Sequence, residues 1–204
     1  MKILILSPHI DDAEFGAGAT IRKFTDNTFC WIAFSDCAES LPEGFPEETL
    51  RKEFKQICKL YGIDNYTVAN FPVRNFTSHR QEILEILFKA RNEFNPDLVI
   101  GPSLNDTHQD HTVIANEMIR AFKNTSIISY ELPWNNLKSV NNYYVRITSE
   151  QLEFKLKVLS LYESQIVKNR PYSNPEFIES LAKVRGTQIN VQYAEAFELI
   201  RWIN

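Results

Sequence analysis

Residues 2–12 read Lys2-Ile3-Leu4-Ile5-Leu6-Ser7-Pro8-His9-Ile10-Asp11-Asp12, and this stretch predicts both the fold and the place of the chemistry. The short apolar run at its start is typical of a buried parallel strand. Ser7-Pro8 is expected to end that strand, and a histidine and two carboxylates follow at once. Because ligands of open α/β sheets bind outside the carboxyl ends of strands, these titratable groups lie where a functional site is expected.

A second group of titratable residues follows another predicted strand much further along the chain. Residues 98–100 are apolar, Gly101-Pro102-Ser103 is expected to end the strand, and Asp106-Thr107-His108-Gln109-Asp110-His111 comes next. Three of the four histidines therefore follow two strand ends. The fourth, His79, lies in a polar stretch and is predicted to be solvated at the surface.

His9, Asp12 and His111 form a familiar set of ligands for catalytic zinc. Two histidines and one carboxylate leave a fourth position for water, and Asp11 remains free to take the proton of that water. The spacing does not distinguish zinc from another divalent metal. The alternative for the Asp pair is a turn or a helix N-cap, and His108 and His111 could be solvated or cap the next helix. Two such groups, each after a predicted strand, favour the metal site.

Strand-like and helical patterns alternate along the chain, which predicts an α/β fold. The predicted strands are residues 2–6, 29–34, 66–69, 98–100 and 127–130, with a further strand at 143–147 for which an antiparallel orientation is an option. The predicted helices are residues 15–24, 47–61, 80–94, 112–122, 149–161 and 175–184, before a final apolar segment at 194–200. We expect a Rossmann-like, mostly parallel sheet with helices on both faces, in a single domain over residues 1–204. Loops 42–46, 133–142 and 167–174 are expected to rim a pocket.

Composition and charge exclude several classes of protein. Hydrophobic residues make up 44% of the 204 residues, which argues against disorder. The formal net charge of −4 argues against a nucleic-acid binder. No apolar run reaches membrane-spanning length, and the chain enters a strand directly after Met1-Lys2, so we expect no signal peptide and a cytoplasmic protein. Cys30, Cys37 and Cys58 lack metal-ligand spacing and favour a reducing compartment.

The two titratable groups resemble the motifs of the PIG-L/LmbE-like metal-dependent de-N-acetylases. That family carries a His-Pro-Asp-Asp-Glu motif after its first strand, and residues 9–14 here read His-Ile-Asp-Asp-Ala-Glu. The second motif of the family, His-Pro-Asp-His, is here His108-Gln109-Asp110-His111. Ile10 and Gln109 replace the two prolines, and Ala13 stands in the place of the glutamate, with Glu14 one residue further on. No proposed metal ligand is lost by these departures.

This resemblance implies a hydrolase that removes the N-acetyl group from an acetamido sugar or sugar conjugate, similar to N-acetylglucosamine, and releases acetate and a free amine. It implies a bound Zn²⁺ or other divalent ion at His9, Asp12 and His111, with Asp11 as the base. We expect a protonated His108 to stabilise the oxyanion of the tetrahedral intermediate. Asp110 is expected to hydrogen-bond a ring nitrogen in the site and fix its orientation.

Three arginines near predicted strand or helix ends are candidates for substrate binding: Arg51, Arg74 and Arg80. A surface ion pair is the alternative for each, and the resemblance favours Arg51, whose counterpart opens the same helix. Trp134 could stack on a sugar ring or fill a loop turn. The expected partner is a small-molecule N-acetylated sugar, with no nucleic acid and no membrane span, and a homo-oligomer is compatible with the sequence. Two further functions stay open: an amidase for another sugar or thiol–sugar conjugate, and a metal-binding module without catalysis.

Overall fold

The computed structural model describes residues 1–204 and contains one sheet of seven strands. The strands are β1 (Lys2–His9), β2 (Thr28–Ser35), β3 (Tyr66–Val68), β4 (Leu98–Pro102), β5 (Ser126–Tyr130), β6 (Tyr143–Ile147) and β7 (Tyr193–Arg201). Their order across the sheet is β3-β2-β1-β4-β5-β7-β6. The first five strands in this order are parallel, and β7 runs antiparallel to both β5 and β6. The predicted Rossmann-like, mostly parallel sheet is confirmed.

Helices cover both faces of this sheet, as predicted. The helices are α1 (Asp12–Lys23), α2 (Thr49–Tyr61), α3 (Arg80–Phe94), α4 (Gln109–Ala121), α5 (Ser149–Ser160), α6 (Glu163–Ile166) and α7 (Pro175–Gln188). Successive residues of β1 point to opposite faces. Ile3 and Ile5 belong to the core shared with α1, α2, α5 and α7, and Leu4 and Leu6 to the core shared with α3 and α4. None of these helices combines the length and the apolar character needed to cross a membrane.

The strand order reverses between β1 and β4, and this reversal positions the candidate site. In doubly wound sheets the crossovers leave opposite faces at such a point, which opens a crevice at the carboxyl ends of the two strands. β1 ends at His9 and β4 ends at Pro102. The two groups of titratable residues therefore emerge side by side at one edge of the sheet.

Among the element boundaries that differ from the prediction, three bring a site residue into regular structure. β1 continues past Pro8, because His9 still pairs with Ser35 of β2. α1 begins at Asp12 instead of residue 15. α4 begins at Gln109 instead of residue 112, because the side chain of His108 accepts a hydrogen bond from the backbone N–H of Asp110. Histidine is not among the preferred N-cap residues, so the sequence alone does not signal this helix start.

α1 is held close to the sheet by contacts behind its first turn. A Cβ atom at Gly16 would lie 2.4 Å from the ring of Tyr130 on β5, so only glycine allows this approach. The buried Lys155 and Glu195 form an ion pair of 2.7 Å. Glu195 also accepts hydrogen bonds from two backbone N–H groups of α1, and Lys155 donates to a backbone carbonyl of the same helix. These contacts fix the helix whose first residue is Asp12.

Candidate active site

Three donor atoms from the two strand ends form a compact triangle. Nδ1 of His9 lies 3.3 Å from Oδ2 of Asp12, and Nε2 of His111 lies 3.2 Å from the same oxygen. The two ring nitrogens are 3.0 Å apart. With bonds of about 2.0–2.1 Å, the ligands of a tetrahedral zinc ion lie roughly 3.3 Å from one another. The spacing of the three atoms therefore fits a zinc ion bound between them.

The negative charge of Asp12 within the triangle also favours a positive charge shared by the three donor atoms. Burial opposes ionisation of Asp12, but His111 and His9 hold the pKa of its carboxyl well below the usual range. Burial likewise opposes protonation of His111, yet Asp12 and Asp106 raise the pKa of its ring to about 10. Without a metal, protons provide the positive charge between these atoms. A metal ion would displace them, since metal ligands bind in their deprotonated form.

His108 offers a second way to complete a metal site with His9 and His111. One ring nitrogen from each of the three histidines lies within 4.8 Å of the others. This set is looser than the triangle that contains Asp12, whose atoms are within 3.3 Å. In addition, Nδ1 of His108 accepts the hydrogen bond from the N–H of Asp110 at 3.2 Å. The tighter triangle is the better match to a metal ion.

Two carboxylates hold the outer nitrogens of the two triangle histidines. Asp110 accepts a hydrogen bond of 2.9 Å from Nε2 of His9, which is the kind of contact expected for Asp110. Asp106 lies 2.7 Å from Nδ1 of His111 and also accepts from the backbone N–H of His108 at 2.8 Å. Such carboxylates fix the tautomer and the orientation of a metal-binding ring. Asp106 was not among the predicted site residues, and its only signal in the sequence is its position at the start of the second group of titratable residues.

Asp11 lies next to the triangle and remains free of it. Its side chain is half-buried, lines the cavity above the triangle and caps no backbone N–H of α1. Burial, together with the negative charge of Asp12, raises the pKa of Asp11 to about 6, and His9 acts in the opposite direction. A carboxylate with a pKa close to neutral can accept a proton during catalysis and release it again.

His108 lies beside both triangle histidines, with its ring centroid 4.7 Å from that of each. Because Nδ1 accepts a backbone hydrogen bond, the neutral ring carries its hydrogen on Nε2. Burial and the neighbouring His111 and His9 lower the pKa of His108. This direction disfavours the protonated state that we expected, and a neutral ring can still donate a hydrogen bond from Nε2–H. Its capping of α4 is the alternative that the sequence had left open, and both roles coexist.

A buried glutamate supports the loop that carries Asp11. The hydroxyl of Tyr162 lies 2.7 Å from the carbonyl oxygen of Ile10 and 2.6 Å from a carboxyl oxygen of Glu14. One hydroxyl proton cannot serve both acceptors, so a donation to Ile10 requires a protonated Glu14. Burial indeed raises the pKa of Glu14 well above its usual range. Glu14 thus supports the loop through Tyr162. In the sequence, Glu14 stands one residue after the position of the glutamate in the family motif.

The site opens into a cavity of about 270 Å³. One wall is aromatic: Trp134 and Tyr172 stack with ring centroids 4.1 Å apart, and Phe15 meets both rings edge-on. These residues belong to loops 133–142 and 167–174 and to α1, so two of the three loops expected at the rim do line the cavity. Loop 42–46 does not line it. Trp134 is part of this wall and presents a surface of the kind on which a sugar ring can stack.

The three candidate arginines lie in different places. Arg74 lines the cavity, and its backbone N–H donates to Asp110 at 2.6 Å. Arg51 lies in a neighbouring cleft, where its guanidinium pairs with Asp36 at 2.6 Å and donates to the carbonyl of Val68. Arg80 pairs with Glu117 and takes no part in the cavity, so the structure does not bring it to the site. His79 contacts Glu82 at 3.0 Å and does not line the cavity.

Comparisons with known proteins agree with the geometry of the site. The family model of the PIG-L family, GlcNAc-PI de-N-acetylase, matches residues 4–122, which is more than half of the chain. The matched residues include both motifs. The resemblance seen in the sequence is thereby confirmed.

Individual proteins extend the similarity over nearly the whole chain. A diacetylchitobiose deacetylase of Thermococcus kodakarensis is 25% identical over 223 residues, which cover 98% of this chain and 83% of that protein. The structure of the N,N'-diacetylchitobiose deacetylase from Pyrococcus horikoshii superimposes with a TM-score of 0.81 at 22% identity, covering 98% of this chain and 83% of that chain. A 4-carboxy-2-hydroxymuconate hydratase from Pseudomonas putida also shares the fold, with a TM-score of 0.79 at 15% identity over 100% of this chain and 97% of that chain. The fold alone therefore does not select one reaction.

The contacts of Asp106 lead to a first prediction. Its two oxygens accept from His111 Nδ1 and from the N–H of His108, and an asparagine of the same shape can accept only one of these hydrogen bonds. We expect Asp106→Asn to weaken zinc affinity by about 10–100-fold, the usual effect of losing a carboxylate behind a ligating histidine. Competition with a chromophoric chelator measures this affinity. Asp64→Asn, an exposed change, is the control, and equal affinities of the two variants would contradict the role given to Asp106.

Proposed function

Since the chain belongs to the PIG-L family of GlcNAc-PI de-N-acetylases, we propose that it removes the N-acetyl group from an acetamido sugar or sugar conjugate. The products are acetate and a free amine. The observation that carries this proposal is the triangle of His9, Asp12 and His111 with an unligated Asp11 beside it. A purely structural zinc site has four protein ligands, whereas these residues leave one position open and keep a base next to it. This arrangement favours hydrolysis over a metal-binding module without catalysis.

We propose that His9, Asp12 and His111 hold one divalent ion, for which zinc is the best match to two imidazoles and a carboxylate. When bound, such an ion lowers the pKa of a water molecule and polarises a carbonyl oxygen. Asp106 and Asp110 orient the two histidines from behind. The remaining chemistry belongs to Asp11 and His108.

In the proposed reaction Asp11 takes a proton from water as the water oxygen attacks the amide carbon. The carbonyl oxygen gains negative charge, and Nε2–H of His108 donates a hydrogen bond to it. The bond from carbon to nitrogen then breaks, and Asp11 returns its proton to the leaving amine. A base whose pKa lies near neutrality suits both transfers. The proton is conserved, and the products are acetic acid or acetate and the amine.

The substrate class follows from the relatives and from the cavity. The two similar proteins named diacetylchitobiose deacetylases support an acetamido sugar. The wall of Phe15, Trp134 and Tyr172 offers aromatic surface to a sugar ring, and Arg74 offers donors to its hydroxyl groups. An amidase for another sugar or thiol–sugar conjugate would use the same residues and differ only at the rim. We propose that residues 1–204 form one deacetylase domain. The three cysteines of this domain are free and buried, which agrees with the reducing, cytoplasmic compartment that we expect.

Separating the base from the metal ligand tests this function. Protein loaded with one equivalent of zinc should release acetate from one or more members of a panel of N-acetylated mono- and disaccharides. Asp11→Asn should keep the metal and lose about 10²–10⁴-fold in kcat, because an amide cannot accept the proton of water. Asp12→Asn should instead weaken zinc binding itself. Acetate assays and metal analysis on the same samples distinguish the two effects.

The exposed Asp64→Asn change is the control for this pair of variants, and it should alter neither property. Near-normal turnover of metal-loaded Asp11→Asn would rule out Asp11 as the base. The absence of acetate release from every N-acetylated sugar would reject the deacetylase function.

His108 gives a separate prediction. We expect His108→Ala to lower kcat by roughly 10²–10³-fold with little change in KM, because the donated hydrogen bond strengthens only as the oxyanion forms. Metal affinity should stay within a few-fold of that of the wild type. His108→Gln should recover part of the activity, since its side-chain amide also carries donor hydrogens. If His108→Ala instead abolishes zinc binding, His108 is a ligand and the assignment of Asp12 is wrong.

A further inference from the structure

The rim of the cavity carries more positive than negative charge. Three basic side chains line the cavity, Arg74, Lys168 and Arg170, and the only carboxylates that line it are Asp11 and Asp12. None of the three basic residues forms an ion pair with a carboxylate. A bound divalent ion would add further positive charge at the base. This excess of positive charge stands out in a chain whose formal net charge is −4.

Lys168 is held at the rim by a chain of hydrogen bonds that starts in the core. Its ammonium donates to Oε1 of Gln165 at 2.8 Å, and the amide of Gln165 lies 3.4 Å from the hydroxyl of Ser164. Ser164 donates from its hydroxyl and its backbone N–H to the buried carboxylate of Glu53, at 2.8 and 3.1 Å. Lys168 therefore differs from a flexible surface lysine. Its position is set by α2 and α6, and its ammonium keeps two donor hydrogens free.

Arg170 stands two residues further along the same loop and is also turned toward the cavity. Its guanidinium hydrogen-bonds the hydroxyl of Tyr172, whose ring is stacked on Trp134. Burial lowers the pKa of Lys168, and the positive charge of Arg170 lowers it further. Asp11 acts on the pKa of Lys168 in the opposite direction, but neither cation forms an ion pair with a carboxylate, and an anion bound between the two would relieve their repulsion.

We propose that Lys168 and Arg170 form a binding site for an anionic substituent of the substrate, a phosphate or a carboxylate carried by the acetamido sugar. This inference rests on the proposed deacetylase function and narrows its substrate class to acidic sugars or sugar conjugates. The aromatic wall of Phe15, Trp134 and Tyr172 lines the same cavity as this anion site, and Arg170 contacts the wall through the hydroxyl of Tyr172. A ring stacked on that wall can present its acetamido group to Asp11 and its acidic group to the two cations.

A different role for Lys168 makes the opposite prediction. Its ammonium is close enough to Asp11 to lower the pKa of that carboxyl, against the rise caused by burial and Asp12. If Lys168 served only Asp11, its loss would impair the hydrolysis of neutral and acidic sugars equally. An anion site predicts a loss that is much larger for acidic sugars than for neutral sugars.

Substrate discrimination by the zinc-loaded full chain tests the proposal. The substrates are N-acetylglucosamine, its 1-phosphate and 6-phosphate, and N-acetylmuramic acid, which carries a carboxylate. The wild type should hydrolyse at least one acidic sugar with a kcat/KM roughly tenfold or more above that of the neutral sugar, and added salt should reduce this preference. Lys168→Gln and Arg170→Gln should each remove about tenfold or more of that kcat/KM, mainly through KM, and should lower the kcat/KM of the neutral sugar by a much smaller factor. Lys168→Arg should retain the preference.

Lys55→Gln, which removes an exposed positive charge on α2 outside the cavity, is the control and should change nothing. Equal kcat/KM values for neutral and acidic sugars in the wild type would overturn the proposal, and so would an equal loss for all sugars in Lys168→Gln. Calorimetric binding of glucosamine 6-phosphate, glucosamine 1-phosphate, muramic acid and glucosamine gives a readout that needs no turnover. If no sugar is deacetylated, the proposed deacetylase function is rejected, and the anion site is judged separately by binding. The anion site is then supported by binding of an acidic sugar that depends on Lys168, and overturned by its absence.

Discussion

The close approach of one carboxylate and two imidazoles is the constraint on which the rest of the site depends. Three donor atoms lie within 3.0–3.3 Å of one another, largely withdrawn from water, so the negative charge of Asp12 needs a positive partner, either a protonated imidazole or a metal ion. The sheet brings the atoms together, because the strand order reverses between β1 and β4 and leaves the ends of both strands in one crevice. Asp106 and Asp110 then fix the two rings from behind. Long-range packing therefore sets the spacing of the three donor atoms, which fits one zinc ion.

The same contacts connect the triangle of His9, Asp12 and His111 with the rim of the cavity. Asp110 binds Nε2 of His9 and also accepts the backbone N–H groups of Arg74 and Phe76. The loop that presents Arg74 to the cavity is therefore anchored on the carboxylate that hydrogen-bonds His9. On the other side, Glu53 anchors Ser164 and, through Gln165, Lys168. Buried carboxylates thus position residues that line the cavity on both sides.

The parts of this account that could be predicted from the sequence are those with a local pattern. Apolar runs alternating with helical periodicity predicted the sheet and its two helical layers, and the two motifs drew attention to His9, Asp12 and His111. The parts that could not be predicted depend on contacts between distant residues. Asp110 reaches His9 across 101 positions, and Glu53 reaches Ser164 across 111. Arg80 looked equivalent to Arg74 in the sequence, but packing against Glu117 keeps it away from the cavity.

The start of α4 was predicted three residues too late, because the sequence pattern does not show that His108 caps the helix. His108 caps α4 with Nδ1, and that single hydrogen bond both extends the helix to Gln109 and leaves the hydrogen on Nε2. Neither consequence is visible in the spacing of His108 and His111. The lowered pKa of His108 also works against the protonated ring that we expected at this position.

A crystal structure of the zinc-loaded protein, with anomalous diffraction measured at the zinc edge, tests the central claim most directly. The account predicts one anomalous peak per chain, bonded to Nδ1 of His9, a carboxylate oxygen of Asp12 and Nε2 of His111, with Asp11 outside bonding distance. A peak bonded to His108 together with His9 and His111, with Asp12 turned away, would contradict it.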